Sequence, residues 1–479
     1  MVYTMICGLR WGIESAIKER DKQLKKGEQT MEGKHMGERK PHKHITSFQI
    51  IILGFFSVIM IGCFLLMLPF ATKDGAGAPF SDALFTATSA VCVTGLIVHD
   101  TATYWTVFGQ AVILMLIQIG GMGVVTVAVA IVTISGKKIG LMQRSVMQEA
   151  ISAHQLGGIV RMTKFILRTT LIIEMTGALL LLPVFGKDFG WGKGIWYSIF
   201  HAISAFCNAG FDLIGIREPY SSLTTYMSNP IVNLTIMLLI IVGGIGFLTW
   251  ADIKKNKWHW HKYCMQSKVI LSVTAGLILV PAIYFFFFEY SSLPLGERIL
   301  TSLFQSVTPR TAGFNTADLT LLSQTGQMIF IVLMLVGGSP GSTAGGMKTT
   351  TAAVMCSNAL SVFLKKESTN FYGRRVPDDT IRIASTVLMM YLFLFLSGGM
   401  VISSIENIPL LSALFETASA IGTVGLSLGI TPALGGISRA ILILLMFLGR
   451  VGGLTLVFAA FSGRRTTMSR LPQEKITVG

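Results

Sequence analysis

The chain has 479 residues, of which 52% are hydrophobic and only 13% are charged. A soluble domain carries about 25% charged residues, and about 20 consecutive apolar residues cross a bilayer as a helix. The long uncharged runs of this chain therefore argue against a soluble enzyme and against intrinsic disorder. Its six cysteines lie far apart, with neither the spacing of a metal site nor that of a secreted disulfide framework.

Eight long apolar runs predict an all-α integral membrane fold with eight transmembrane helices. In chain order they cover residues 47–69, 107–134, 165–184, 230–249, 267–288, 325–363, 382–403 and 436–461. A glycine-rich stretch interrupts the sixth run at 337–346. Between successive pairs of runs lie four shorter apolar segments, at 80–91, 194–206, 298–308 and 409–420. These segments are too short to cross, which predicts re-entrant half-helices or interfacial segments.

The net charge of +15 follows the predicted topology. An even number of spans puts both chain ends on one side, and 30 of the 39 lysine and arginine residues lie there, against seven on the other side. Because such an excess marks the cytoplasmic side, both termini are expected in the cytoplasm. The charge is thereby explained without nucleic acid, which is not an expected partner. The basic segment 1–46 is assigned no function.

A fourfold repeat relates the short segments to one another. In each copy a serine or threonine follows a phenylalanine by four residues, and a glycine follows that phenylalanine by ten residues, or by nine in the third copy. The repeated positions are Phe85, Ser89 and Gly95; Phe200, Ser204 and Gly210; Phe304, Thr308 and Gly313; and Phe415, Ser419 and Gly425. This periodicity predicts four copies of helix, half-helix, loop and helix around one pseudo-fourfold pore. The predicted boundaries are a cytoplasmic segment at 1–46, pore repeats at 47–135, 164–250, 267–364 and 381–462, and a cytoplasmic tail at 463–479.

The loops after the half-helices have the chemistry of a cation filter. A half-helix that enters from outside points its C-terminus, with about half a negative charge, at the middle of the bilayer. The irregular backbone beyond it offers carbonyl oxygens that can replace the hydration shell of an alkali cation, and glycine permits the positive φ that turns them inward. Glycine also serves close helix packing, but four glycines at matched offsets favour the filter. The predicted selectivity filter, with potassium at its carbonyls, comprises Cys92, Val93, Thr94, Gly95, Cys207, Asn208, Ala209, Gly210, Thr311, Ala312, Gly313, Thr423, Val424 and Gly425.

The interruption of the sixth run predicts an intramembrane gate. Its ten residues of glycine, serine, threonine, proline and alanine do not hold a helix, so we expect a flexible plug below the filter, with a static break that fills space as the alternative. Arg450 lies inside the eighth run, where an unpaired arginine is costly. Carbonyls or hydroxyls of the interruption are its expected acceptors, and snorkelling to the surface is the alternative. The predicted gate comprises Gly337, Gly338, Ser339, Gly341, Ser342, Thr343, Gly345, Gly346 and Arg450.

The glycine-bearing repeats, the glycine-rich break and Arg450 resemble the Trk/Ktr/HKT superfamily of potassium transporters over residues 46–479. The chain is most similar to the bacterial Ktr membrane subunit, and Gly95 departs from the serine of many sodium-carrying plant relatives. The resemblance implies potassium uptake in a bacterial cytoplasmic membrane, with sodium as an activator and no cofactor in this chain. It also implies a homodimer in membrane lipid, seated on a cytosolic ring of RCK/KTN-type regulatory subunits that binds ATP and ADP.

The residues leave other functions open. A proton-coupled secondary transporter of another small solute would need acids at membrane depth, and Glu174 is one candidate, although it could equally be a pore, pairing, sodium-site or buried hydrogen-bonded residue. An enzyme would need clustered histidine, aspartate or glutamate in the spans. The sequence shows no such cluster, so no enzyme is expected. A sodium-conducting relative cannot be told apart by side chains, because selectivity resides in backbone geometry. Lys348, just after the break, is expected to face the cytoplasm.

Overall fold

The computed structural model describes residues 47–124, 126–127, 148 and 159–452. The predictions for 1–46, for most of 125–158 and for 453–479 lie outside these residues. In chain order the helices are α1 (Ser47–Leu66), α2 (Phe80–Val91), α3 (Thr101–Tyr104), α4 (Val107–Met122), α5 (Ile159–Phe189), α6 (Trp191–Phe206), α7 (Pro230–Gly244), α8 (Phe247–Asn256), α9 (Met265–Tyr284), α10 (Leu295–Val307), α11 (Gln324–Leu335), α12 (Thr349–Phe363), α13 (Asp378–Glu406), α14 (Leu410–Gly422) and α15 (Gly436–Val451). An antiparallel hairpin between α12 and α13 pairs β1 (Asn370–Phe371) with β2 (Arg374–Arg375).

Four helices in the described part of the chain, α1, α5, α9 and α13, are long and apolar enough to cross a membrane. The bent pair α7–α8 makes a fifth if it is counted as one span. Large apolar side chains such as Phe56 and Phe64 stay exposed on α1, an arrangement that suits lipid rather than water. The predicted helical, apolar architecture is therefore confirmed. Eight spans stay a prediction, because α4, α11 and α15 are shorter.

The four short apolar segments form the helices α2, α6, α10 and α14, which we call the half-helices. Each half-helix packs against the long helix that precedes it in the chain. Each also packs against a helix of the preceding copy, so that the contacts close a cycle: α4 with α6, α7 with α10, α11 with α14, and α15 with α2. The phenylalanines that mark the repeat are all fully buried, and they are Phe85, Phe200, Phe304 and Phe415.

Two predicted spans are continuous in the sequence but not in the structure. The run 230–249 is bent by 96° between α7 and α8, and the helix in the run 107–134 ends at Met122. The chain turns at glycines with positive φ, namely Gly123 (φ 85°), Gly246 (φ 92°) and, at the end of α15, Gly452 (φ 86°). A residue with this backbone conformation ends a right-handed helix, so neither run is one continuous helix. The predicted interruption of the sixth run is present, because residues 336–348 separate α11 from α12.

Glycines also let three helices approach the carbonyl ends of half-helices. In each case a methyl group on the glycine would collide with a backbone carbonyl four residues before a repeat glycine. The pairs are Gly120 with Val91, Gly243 with Phe206, and Gly449 with Ile421. These contacts fix how closely α4, α7 and α15 pack around the ends of the half-helices.

We predict that Gly120→Ala destabilises the protein, by about 1–3 kcal/mol as for other overpacked cores. The added methyl group would meet the rigid backbone of Val91, so neither side can give way by rotating a side chain. Gly276→Ala in α9 is the matched control, because nothing lies within 4 Å of its new methyl group, and alanine favours a helix. The melting temperature of the detergent-solubilised protein should fall for the first variant and hold or rise for the second. Equal melting temperatures would contradict the packing argument.

Candidate functional site

Four segments with the same backbone conformation follow the half-helices, and we call them the glycine segments (92–95, 207–210, 311–313 and 423–425). In each segment the residue two positions before the repeat glycine has a positive φ although it carries a side chain, and the glycine itself also has a positive φ. The non-glycine residues are Val93 (56°), Asn208 (59°), Thr311 (66°) and Thr423 (51°), and the glycines are Gly95 (91°), Gly210 (71°), Gly313 (79°) and Gly425 (93°). Such a conformation is costly for a β-branched residue, so the packing around these segments must hold it.

The four glycines meet one another in a ring. A methyl group on Gly210 would lie 2.9 Å from the carbonyl oxygen of Ala312, and one on Gly313 would lie 2.5 Å from that of Val424. The same contact joins Gly425 to the carbonyl of Thr94, and Gly95 to the carbonyl of Ala209. The contacts thus run from Gly95 through Gly210, Gly313 and Gly425 and back to Gly95, which closes the ring. No side chain has room at these four positions.

The backbone amides of the glycine segments bond back to the half-helices. The residue before each repeat glycine donates its backbone amide to the carbonyl of the repeat serine or threonine. The distance is 2.8 Å for Thr94, Ala209 and Val424 and 3.0 Å for Ala312. In the third segment this bond spans four residues rather than five. This difference accounts for the spacing of nine rather than ten residues between Phe304 and Gly313. With their amides bonded on the helix side, the segments keep their carbonyl oxygens available.

The repeat hydroxyls hold the glycine segments in two ways. Ser89 and Ser419 accept from the amides of Gly95 and Gly425, at 3.1 and 3.0 Å. Ser204 instead donates to the carbonyl of Phe211 at 2.7 Å, and Thr308 donates to that of Phe314. All four hydroxyls therefore fasten the chain at or just after the repeat glycine.

A cavity of about 390 Å³ opens on one side of the ring. All four repeat glycines line it, together with the carboxyl-bearing residues Asp212 and Asp318, and no lysine or arginine does. Acidic groups without basic neighbours favour cations in a confined space. The cavity is thus suited to receive cations at the ring.

The loop 336–348, which we call the break loop, is fastened to the helix ends around it. The backbone amide of Ser339 donates to the carbonyl of Gly244 at 3.0 Å, and the amide of Gly346 donates to the carbonyl of Gly449 at 3.2 Å. In return the amide of Phe247, which α7 cannot satisfy after its bend, donates to the carbonyl of Gly341 at 2.7 Å. The break loop therefore supplies hydrogen bonds to backbone groups at the ends of α7, α8 and α15 that have no partner within their own helices.

The break loop also touches the glycine segments. The Thr343 hydroxyl lies 3.1 Å from the carbonyl oxygen of Phe206 and 3.1 Å from Oδ1 of Asn208. At Gly345 an added methyl group would collide with the side chain of Thr423. The break loop thus abuts the second and fourth glycine segments, so a movement of the loop would reach both.

Arg450 binds the break loop, as the sequence led us to expect. Its guanidinium donates from Nη1 to the carbonyl of Thr343 and from Nη2 to the carbonyls of Gly120, at 2.5 Å, and Gly121, at 3.1 Å. A single side chain of α15 thereby connects the break loop to α4. The geometry agrees with pairing rather than with snorkelling.

Lys348 is bonded to residues of the break loop that precede it. Its ammonium group turns back onto the break loop and donates to the carbonyls of Ala344 at 2.9 Å and Gly345 at 3.4 Å. Sequence reasoning missed this contact, although a lysine beside a stretch rich in unbonded carbonyls is a usable signal. Two basic side chains, Lys348 of the loop and Arg450 of α15, thus bind carbonyls of the same loop.

Glu174 is buried and hydrogen-bonded, which was one of the alternatives left open for it. Its carboxylate accepts from Nε2 of Gln118 at 3.0 Å. Oε1 of the same Gln118 lies 3.6 Å from the thiol sulfur of Cys207. Gln118 therefore connects Glu174 to Cys207 of the second glycine segment.

Comparison with known proteins assigns the chain to a family. A family model described as a cation transport protein, TrkH, matches residues 29–467. The chain belongs to the TrkH family of cation transport proteins. The resemblance drawn from the sequence is thus confirmed, and this TrkH family member is a membrane transporter rather than an enzyme.

Individual relatives of this TrkH family member cover most of its length. It is 40% identical over 453 residues to the potassium/sodium uptake protein NtpJ of Enterococcus hirae, with 92% of this chain and 99% of the relative covered. It is also 40% identical over 440 residues to the Ktr system potassium uptake protein B of Bacillus subtilis, with 90% and 96% covered. The crystal structure of the potassium transporter TrkH from Vibrio parahaemolyticus matches with a TM-score of 0.69 at 20% identity, covering 88% of this chain and 86% of that one. This last match shows a shared fold.

We predict that Ser204→Ala destabilises this TrkH family member more than Ser198→Ala in the same half-helix. Loss of the Ser204 hydroxyl leaves the carbonyl of Phe211 without its donor, and a buried unpaired group costs about 1–3 kcal/mol. The Ser198 hydroxyl donates to Gly194, four residues earlier in α6, where the helix itself supplies a second donor. Thermal unfolding in detergent compares the two, and a larger loss for Ser198→Ala would refute the role of Ser204.

Proposed function

We propose that this protein takes up potassium across the cytoplasmic membrane of a bacterium, through a selectivity filter formed by the carbonyls of the glycine segments. The observation that carries this proposal is the closed ring of Gly95, Gly210, Gly313 and Gly425, in which each glycine faces the carbonyl that precedes the next. Oxygens presented in such a ring can replace the water around an alkali cation. The printed names of the relatives, potassium/sodium uptake and potassium uptake proteins, agree with this substrate.

In this proposal the cycle of helix contacts is a pseudo-fourfold pore with eight spans. The long helices α1, α5, α9 and α13 are the first spans, and α4, α7–α8, α11–α12 and α15 are the second spans. The half-helices point their C-termini at the pore, where their partial negative charge favours a cation. Both chain ends lie in the cytoplasm, as the excess of lysine and arginine on that side indicates.

The break loop is the proposed gate. It lies against the second and fourth glycine segments through Thr343 and Gly345, it includes the charged Lys348, and it binds Arg450 of α15. Positive charge next to the cation path raises the barrier to conduction. Moving the loop away would remove the steric obstacle together with the charge of Lys348, and it would break the bond between Arg450 and Thr343.

We propose that other protein subunits control the gate. We infer a homodimer that contacts a cytosolic ring of RCK/KTN-type subunits, with ATP and ADP bound to that ring and sodium as an activator of uptake. The name of the Bacillus subtilis relative, a protein of the Ktr system, supports an assembly with other subunits. This chain then needs no cofactor of its own, and potassium is its substrate.

We predict that Gly95→Ser broadens ion selectivity. The new side chain would press on the carbonyl of Ala209 from a positive φ, which displaces oxygens of the ring. The measurement is rubidium uptake in a potassium-uptake-deficient bacterium, with potassium or sodium as competitor. Sodium should compete several-fold better in the variant, because discrimination depends on the positions of the carbonyls.

Gly429→Ser is the control for this variant. Gly429 also has a positive φ and lines the same cavity, but nothing lies within 4 Å of its added methyl group. Its selectivity should equal that of the parent. An unchanged selectivity in Gly95→Ser would remove Gly95 from the filter, and no potassium-competed uptake by the parent would leave the substrate open.

We predict that removing residues 339–345 raises uptake in cells that lack the regulatory subunit. Thr343→Ala is the milder variant, because it removes the hydroxyl that contacts Phe206 and Asn208, and it should raise uptake less. Ser342→Ala is the control, since its hydroxyl bonds only to Ser339 within the loop. A deletion that inserts and folds but conducts as slowly as the parent would show that the break loop is not the gate.

A further inference from the structure

A polar residue follows the repeat phenylalanine in every half-helix, and none of the predicted sites includes it. The four residues are Thr86, His201, Gln305 and Glu416, and all are buried. A fully buried carboxylate is rare unless it is paired or hydrogen-bonded. Glu416 is therefore the member whose contacts need an explanation.

Glu416 accepts three hydrogen bonds from the chain that follows its own glycine segment. Its Oε1 lies 2.5 Å from the hydroxyl of Ser427 and 3.2 Å from the amide nitrogen of Leu428. Its Oε2 accepts from the hydroxyl of Thr431 at 2.8 Å. A hydrogen bond to a buried group is costly to lose, so these three bonds hold residues 427–431 to α14.

The three residues that Glu416 holds line the cavity beside the glycine ring. Ser427, Leu428 and Thr431 are all in its wall, together with Gly425, whereas Glu416 itself is fully buried behind that wall. The carboxylate cannot touch an ion in the cavity. It can only act through the chain that it positions, and that chain begins two residues after Gly425.

His201 makes the corresponding contact in the second copy. Its Nε2 accepts from the amide of Leu213 at 3.3 Å, and its Nδ1 lies 2.7 Å from the carbonyl oxygen of Tyr197, which fixes a neutral ring with the proton on Nδ1. Leu213 follows Gly210 by three residues, as Leu428 follows Gly425. The side chain of Gln305, at the same place in the third copy, makes no hydrogen bond within the described residues.

We propose that Glu416 is a positioning residue for cation selectivity, which rests on the proposed function of the glycine ring as a filter. The carboxylate fixes residues 427–431 and with them the carbonyl of Gly425, and neutral His201 fixes the second segment in the same way. The ring order places these two braced segments opposite each other. The spacing of the carbonyl oxygens across that diagonal is thus set from behind by side chains that no ion reaches.

The test compares Glu416→Ala with Glu406→Ala by the ratio of sodium to potassium competition in rubidium uptake. Glu406 is a matched control, because it accepts from the amide of Gly435 at 2.9 Å and from the hydroxyl of Ser438 at 2.5 Å, yet it holds the start of α15 rather than the cavity wall. We expect Glu416→Ala to raise the relative competition by sodium about tenfold, the scale of one hydrogen bond lost at a buried group. Glu406→Ala should lower the melting temperature without a change in the ratio.

Two further variants keep the test decisive. Glu416→Gln retains an oxygen for the amide of Leu428, so it should restore most of the parent ratio if positioning rather than charge is the cause. The pair Ser427→Ala and Thr431→Val removes the partner hydroxyls while Glu416 stays in place, so it should shift the ratio towards sodium even if Glu416→Ala does not fold. An unchanged ratio in this pair and in Glu416→Ala, or an equal shift in Glu406→Ala, would overturn the role of Glu416. Absence of potassium-competed uptake by the parent would instead overturn the filter itself, and this inference with it.

Discussion

The close approach of four chain segments at one ring constrains the rest of the structure. Gly95, Gly210, Gly313 and Gly425 each face a carbonyl at a distance that leaves no volume for a side chain. Segments that meet in this way cannot be helical, and non-helical backbone at membrane depth is stable only where protein buries it or a water-filled cavity meets it. The half-helices meet this condition for the backbone amides, because the repeat carbonyls accept the amide before each ring glycine and the hydroxyls of Ser89 and Ser419 accept the amides of Gly95 and Gly425.

Outside the ring, glycines also allow helices to pack closely against the half-helices. Gly120, Gly243 and Gly449 bring three helices against the carbonyl ends of half-helices, and each helix turns or ends within three residues. The break loop then uses what these turns leave unbonded, since it donates to the carbonyls of Gly243, Gly244 and Gly449. The proposed gate is therefore bonded to the same helix ends that pack around the proposed filter. This arrangement gives a physical route from a loop movement to the filter.

The sequence was informative wherever the signal was local or repeated. Apolar runs of limiting length located the half-helices within a few residues, matched spacing found the four ring glycines, and composition found the break between α11 and α12. The bend at Gly246 was missed, because the apolar run continues through it and the bonds that hold the turn include distant ones, such as that from Phe247 to Gly341, 94 residues later. Glu416 was missed because its partners, Ser427, Leu428 and Thr431, come next to it only when the chain folds back after Gly425. The contacts of Lys348 with Ala344 and Gly345 are local and were overlooked.

The backbone keeps a fourfold pattern that the side chains do not. The φ values of the glycine segments agree around the ring, whereas the repeat hydroxyls accept in the first and fourth copies and donate in the second and third. Carboxylate and imidazole brace only the fourth and second copies, and one break loop carries Lys348 and receives Arg450. In the proposed filter an ion contacts all four segments at once, and this requirement explains why they share one backbone conformation. The proposed gate needs an obstacle at only one point of the path, so a single loop from one copy suffices and the side chains are free to differ.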